Sequence, residues 1–497
     1  MNFVWKHRLY LYSAVLATCI LWPLFKVLYP YPQVIFDSYN YVRAAALNFS
    51  FNAWPIGYSK FLQLFNLFSH SANLLVGIQY VFLELTCLVF FFSWLFLFKP
   101  GKFITWLLFI LLFTNPLLLY CCNYILSDPL FIGLSLLWIT QLLWIICRPR
   151  PYMILTHALL LAVAFTIRYN ALYYPFIAVL AFVLSRQQFW LKLMGAGLPL
   201  VLVGSFIFYT SYSVGKFTGT RQFSAFGSWK LANDAIYMYA HARPEKSEKV
   251  PEKFRVLDSM VRSYLANPAE PVDMLYDDFT SGSFFMYSLN SPLVLYMESR
   301  VGGREWPFLN TKQYWEIAPL YQAYGLFLIR KYPMTFARHF LLPNFFRYYS
   351  PPGEIFGSPV SFDLHEWYGG PELRKVLKLT TIETKLSSIE LSATILNNFP
   401  SLMAIAHFGF IFGLLGFLIL GGYRRIGRPY NYCVLLIAVL WCCDLAFSVL
   451  SAGIVLRYQI FVMVPELSFG SYFIEYVYRH FDKRPPLVIS SKSIPFQ

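Results

Sequence analysis

Ten apolar runs, most of them too long and too free of charge for a soluble core, decide what this chain can fold into. They lie near 9–29, 72–98, 103–120, 129–147, 153–167, 170–185, 192–212, 399–421, 430–450 and 456–477. A helix rises about 1.5 Å per residue, so roughly 18 such residues cross a hydrocarbon layer of about 30 Å. Inside that layer every backbone polar group must find its partner within the helix. Of the 497 residues 58% are hydrophobic and only 13% charged. The expected fold is an α-helical polytopic membrane protein of about ten transmembrane helices, with a large, mixed, mainly helical domain on the outer face.

The net charge of +15 would suit a polynucleotide if it formed a stripe. It does not. With the N-terminus inside, the inner segments hold fourteen basic residues: Lys6, Arg8, Lys99, Lys102, Arg148, Arg150, Arg186, Lys192, Arg424, Arg425, Arg428, Arg479, Lys483 and Arg484. One acid, Asp482, stands against them, so thirteen of the fifteen excess charges sort to one face. That is the positive-inside bias, and no nucleic-acid partner is expected. Lys6-His7-Arg8 precedes the first run, and no small-residue cleavage site follows Ala17, which reads as a retained anchor.

Residues 153–185 test the topology. One continuous helix would bury Arg168-Tyr169-Asn170 at mid-bilayer and place Arg186, Lys192, Arg424, Arg425 and Arg428 outside. Two spans of about 15 residues avoid this, but each reaches only about 22 Å. The turn that carries Arg168 is therefore expected below the outer surface, in a protein cavity rather than in lipid.

The chain divides into a seven-span module at 1–212, with an outer loop at 30–71, an outer segment at 213–398, and three further spans with a loose tail at 399–497. All eight cysteines lie in spans or at their ends, and 213–398 has none, so no disulfide framework is expected. No Cys/His metal spacing, internal repeat or low-complexity tract occurs; no cofactor is expected, and a divalent metal stays open. Within 213–398, Trp315 to Tyr349 is aromatic and holds Arg330, Lys331, Arg338, His339 and Arg347. Such a stretch is expected along a membrane interface, resting on lipid or touching lipid phosphate.

Four ionisable residues share the outer face at helix ends: Asp37, Asp128, Arg168 and Arg457. Each has an ordinary alternative. Asp37, in Phe-Asp-Ser-Tyr-Asn, and Asp128, before Pro129, are good helix-start residues. Arg457 could snorkel to the interface. Arg168 is costly unless paired or functional. An acid at the bilayer surface can act as general base toward a hydroxyl, and guanidinium groups can hold a departing phosphate. Tyr39, Tyr58, Lys60 and His339 are lesser candidates for substrate contact.

The order of these pieces resembles the GT-C superfamily of integral-membrane glycosyltransferases, which includes protein O-mannosyltransferases and the aminoarabinose transferase acting on lipid A. The resemblance rests on Phe36-Asp37-Ser38-Tyr39 after span one, Trp54-Pro55-Ile56-Gly57-Tyr58, and Thr114-Asn115-Pro116 through Leu126-Ser127-Asp128-Pro129. It continues with Arg168-Tyr169-Asn170-Ala171-Leu172 and Arg457-Tyr458. It covers most of 1–212 and the last spans, while 213–398 matches only in position. It implies a catalytic Asp37, with Asp128 as a second outer-loop acid, and donor-phosphate contacts from Arg457-Tyr458. Together with Arg168, these would serve an inverting transferase moving a sugar from a polyprenyl-phosphate carrier to a lipid, glycan or protein acceptor. The expected location is a bacterial inner membrane, with the site facing the periplasm. Family members more often carry more spans, and no sugar is assigned.

Two other readings stay open. A polymerase or ligase of lipid-linked oligosaccharide also pairs many spans with a large outer loop, but uses outer-loop Arg and His without a first-loop Asp. A transporter or flippase would use Glu84, Asp444 and Glu466 within the spans, yet no paired, interrupted halves are visible.

Overall fold

The computed structural model describes residues 2–242, 244, 249–268, 282–301, 312–353, 362–363, 370–451 and 453–482. The tail 485–497 lies outside them. Among the described residues, eight helices are long and apolar enough to cross a membrane. They are Arg8–Leu28, Ala72–Phe98, Lys102–Cys122, Asp128–Cys147, Phe189–Thr218, Leu386–Ile419, Arg428–Ser451 and Leu456–Phe481. The chain is an α-helical polytopic membrane protein.

Residues 152–184 take a broken path, as the cost of a mid-membrane Arg requires. The helix Tyr152–Ile167 ends where Arg168 turns extended, a short 3-10 turn Tyr169–Tyr173 follows, and Tyr174–Leu184 resumes the helix. Both apolar helices are shorter than a usual crossing. Tyr174 fastens the second one: its ring stacks on Trp138 at 4.0 Å and its hydroxyl donates to Ser135 Oγ at 2.7 Å.

Helix ends converge in two groups. At one end the Gly101 N–H donates to the Glu475 carboxylate at 2.9 Å, Arg479 reaches the same carboxylate at 2.6 Å, and Cys147 Sγ lies 3.5 Å from Cys433 Sγ. These are the ends that the basic residues assign to the inside. At the opposite end Gln33 N–H donates to Asn123 O at 2.9 Å and Ile125 N–H to Gln33 O at 3.0 Å. Nearby, Lys26 Nζ donates to Asn123 Oδ1 at 2.8 Å.

The segment after Thr218 builds a helical domain around Trp229. The helices Ala225–Ala242 and Lys312–Lys331 pack closely, with the Trp229 ring stacked on Tyr314 at 4.9 Å and its indole N–H donating to Tyr314 O at 3.0 Å. Gly325 permits the approach, since a Cβ there would meet the Leu231 carbonyl at 2.8 Å. This corrects one expectation. Trp315, Tyr321, Tyr324 and Leu328 are core residues rather than an interfacial face. An exposed apolar face begins only after Pro333, at Met334, Leu342, Phe345 and Phe346, beside exposed Arg338. A two-stranded antiparallel ribbon pairs Phe362 with Ile382 and Asp363 with Thr381.

Candidate functional site

Asp37 stands in the first turn of Phe36–Ala46, just after the first span. It does not cap that helix: Ser38 Oγ accepts the Ile35 N–H at 3.0 Å instead. The Asp37 carboxylate turns away, accepting from Trp54 Nε1 on Oδ1 at 3.1 Å and from Arg457 Nη1 on Oδ2 at 3.2 Å. Two donors on different oxygens fix both its position and its rotation.

Arg168 comes from the break between the short helices. Its Nη1 donates to Asp128 Oδ1 at 2.5 Å, and its guanidinium lies 4.8 Å from the centre of the Tyr458 ring. Arg457 faces that ring too, at 5.1 Å, and its Nη1 is 3.8 Å from Asp128 Oδ2. Two acids and two arginines thus alternate as Asp37, Arg457, Asp128, Arg168, with Tyr458 beside both cations. Asp128 begins Asp128–Cys147 without a capping hydrogen bond from its Ser127 neighbour. Its carboxylate serves the arginines.

This cluster borders a cavity of about 390 Å³, within the usual range for small-ligand pockets. The membrane helices and their loops supply Asp37, Tyr41, Trp54, Arg168, Tyr169 and Tyr458 to its wall, and the helical domain after Thr218 supplies Phe226, Lys230, Leu231 and Asp234. Asp128 and Arg457 stand behind this lining, each bonded to a residue that forms it. Tyr41 donates to or accepts from Ser127 Oγ at 3.0 Å, and burial, with the Asp37 charge second, holds its phenol above the ordinary value. At the far wall burial pushes the Asp234 carboxyl up, while the Lys230 ammonium pulls it down.

A glycine sets the loop against this site. A Cβ on Gly57 would lie 2.5 Å from Thr166 Oγ1 and 2.6 Å from the Thr166 carbonyl. Only glycine lets Gly57–Asn66 seat against the end of Tyr152–Ile167, two residues before Arg168.

The remaining predicted residues are placed apart from the cavity lining. Tyr39 is buried, and Tyr58 is buried with its hydroxyl donating to Gln79 Oε1 at 2.6 Å. Lys60 is exposed and donates to Asn48 Oδ1 at 2.9 Å. His339 stacks on His241, ring centres 4.0 Å apart. Of the span residues weighed for transport, Asp444 accepts from Tyr173 at 2.9 Å and Tyr348 at 3.0 Å, and Glu466 Oε2 lies 2.8 Å from His407 Nδ1. Glu84 is buried in Ala72–Phe98. Among the described residues no cluster of three or more His, Cys, Asp or Glu could hold a metal ion. Sequence reading did not single out Trp54 as a partner of Asp37, nor Lys230 and Asp234. The only signal for the last two is their spacing of four on a helix.

No family model matches the chain, and no curated protein or solved structure resembles it significantly.

Proposed function

We propose that the chain is an inverting glycosyltransferase that moves a sugar from a polyprenyl-phosphate carrier to a lipid, glycan or protein acceptor at the outer face. The observation that carries this reading is the orientation of Asp37, held by Trp54 and Arg457 at the wall of a cavity that Arg168 also lines. Asp37 takes the proton of the acceptor hydroxyl. The acceptor oxygen attacks the anomeric carbon from the face opposite the phosphate, and the carbon–oxygen bond to the carrier breaks. The electron pair leaves with the lipid phosphate. Arg168 presents fixed guanidinium donors where that charge develops, commonly the largest catalytic contribution in a site shielded from water. Arg457 orients Asp37, and Asp128 holds both arginines.

The nature of the donor follows from what the sequence lacks as well. There is no Gly-rich phosphate loop and no Asp-x-Asp triplet to hold a metal against a nucleotide diphosphate. Apolar helices beside the cluster suit an isoprenoid chain, whose burial stabilises binding by about 25 cal/mol per Å². The test is reconstitution with labelled sugar on polyprenyl phosphate or on nucleotide diphosphate. Transfer from the lipid carrier is expected; transfer from the nucleotide form alone would refute the reading.

A further inference from the structure

The outer-domain wall of the cavity carries a charged pair that the mechanism above does not use. Lys230 and Asp234 stand one turn apart on Ala225–Ala242, Nζ 2.9 Å from Oδ1, at 4% and 3% exposure. Withdrawing two charges from water costs several kcal/mol per ion, whereas a pair that only stapled a helix would form equally well on its wet side. Burial against a cavity calls for another reason.

The distribution of hydrogen bonds supplies one. Asn233 Nδ2 also donates to Asp234 Oδ1, at 2.9 Å, so among the described residues both donors fall on one oxygen. Oδ2 is left as the acceptor available to the cavity. Lys230 Nζ gives a second bond to Gly282 O at 2.9 Å, but its third contact, Ser283 Oγ, is long at 3.5 Å. A carboxylate oxygen and an under-used ammonium hydrogen therefore sit side by side. Adjacent hydroxyls of a sugar ring match that pair, one donating to Oδ2 while its neighbour accepts from Nζ. Phe226 and Trp54, ring centres 5.7 Å apart on the same cavity, offer apolar faces for the ring's C–H side.

We propose that Lys230 and Asp234 form a sugar-reading subsite that recognises two adjacent hydroxyls of a pyranose. The subsite deepens the transferase reading and rests on it only for what becomes of the sugar.

The experiment uses the full-length protein in lipid nanodiscs and ligand-observed saturation-transfer NMR. Its probes are methyl gluco-, manno- and galactopyranoside with their monodeoxy forms. At least one parent sugar is expected to bind, and loss of one hydroxyl of the recognised pair should weaken it about ten- to a hundredfold, the range for a hydrogen bond to a charged group. Asp234→Asn should weaken the parent similarly and flatten the deoxy series. No binding by any parent, or a series with the same profile in wild type and Asp234→Asn, would overturn the subsite. The series on wild-type protein needs no variant, so equal binding of every monodeoxy sugar also sinks it, even if Asp234→Asn fails to fold. Displacement by a polyprenyl-phosphate sugar, but not by polyprenyl phosphate, marks the donor's sugar as occupant; no displacement by either marks the acceptor's. Sugar binding without transfer from any lipid carrier would remove the transferase reading and keep the subsite. Transfer with no deoxy discrimination would do the reverse.

Discussion

Arg457 donates to Asp37 at 3.2 Å although the two lie 420 positions apart in the chain. One follows the first span and the other opens the helix Leu456–Phe481, so the contact joins the first and the last membrane helices among the described residues. Neither side chain is fully buried, at 10% for Arg457 and 19% for Asp37. Such a largely but not fully shielded pair orients a carboxylate while leaving it reachable from the cavity.

Asp37→Asn is expected to lower turnover by roughly 10²–10⁴, the usual contribution of a positioned general base. The amide oxygen can still accept from Trp54 or Arg457, so the melting temperature should hardly move. Transfer assays beside melting curves check both, and near-normal turnover would end the proposed role for Asp37.

Asp128→Asn should behave in the opposite way. At 3% exposure it neutralises Arg168 at 2.5 Å and faces Arg457 at 3.8 Å, so its loss leaves Arg168 uncompensated, while Arg457 keeps Asp37. Removing one partner of a buried pair costs about 3–5 kcal/mol. A fall in melting temperature larger than that of Asp37→Asn is expected, measured in the same detergent.

The contrast between these two acids marks the limit of what the sequence carried. Both were legible as acids at helix starts, because apolar run lengths locate the helix ends. The break at Arg168 was legible for the same reason, since an unpaired Arg at mid-bilayer is too costly. Which acid lines the cavity was not, because that depends on helix rotation. The helical domain after Thr218 was hardest: Trp315 and Tyr321, beside basic residues, read as an interfacial face, yet both are buried, Phe51 packing edge-on against Trp315 and Trp229 against Tyr321. Lys230 and Asp234 carry no signal in the sequence beyond their spacing of four, and only tertiary packing encloses them.

The two arginines should separate kinetically when each is changed to Lys, which keeps charge but loses the planar fork. Arg168 lines the cavity, so Arg168→Lys should raise the donor's KM. Arg457 bonds Asp37 from behind the lining, so Arg457→Lys should act mainly on kcat. Steady-state kinetics with the donor varied distinguish them, and identical profiles would show that they act as one unit.

Gly57→Ala tests whether loop seating positions the site. The new Cβ would meet the Thr166 backbone, which cannot swing aside like a flexible side chain. Overpacking of this kind costs about 1–3 kcal/mol. The displaced loop should also loosen the bond between Trp54 and Asp37. Lower thermal stability with reduced transfer is expected; wild-type values for both would show that the loop adapts.

The orientation of the whole molecule can be tested independently of any activity. The inner assignment rests on thirteen of fifteen excess positive charges, and the structure brings the helix ends so assigned together, through Gly101 with Glu475 and Cys147 with Cys433. Asp37, Asp128, Arg168 and Arg457 meet at other helix ends, those assigned to the outside. If the two short helices Tyr152–Ile167 and Tyr174–Leu184 act as separate spans, reporter fusions after Gln188, Thr220 and Gly427 should report inside, outside and inside. If they act as one span, all three signals invert while a fusion after Arg148 stays inside. An outside signal after Gly427 would place the final helices the wrong way round and remove the common face on which Asp37 and Arg457 must meet.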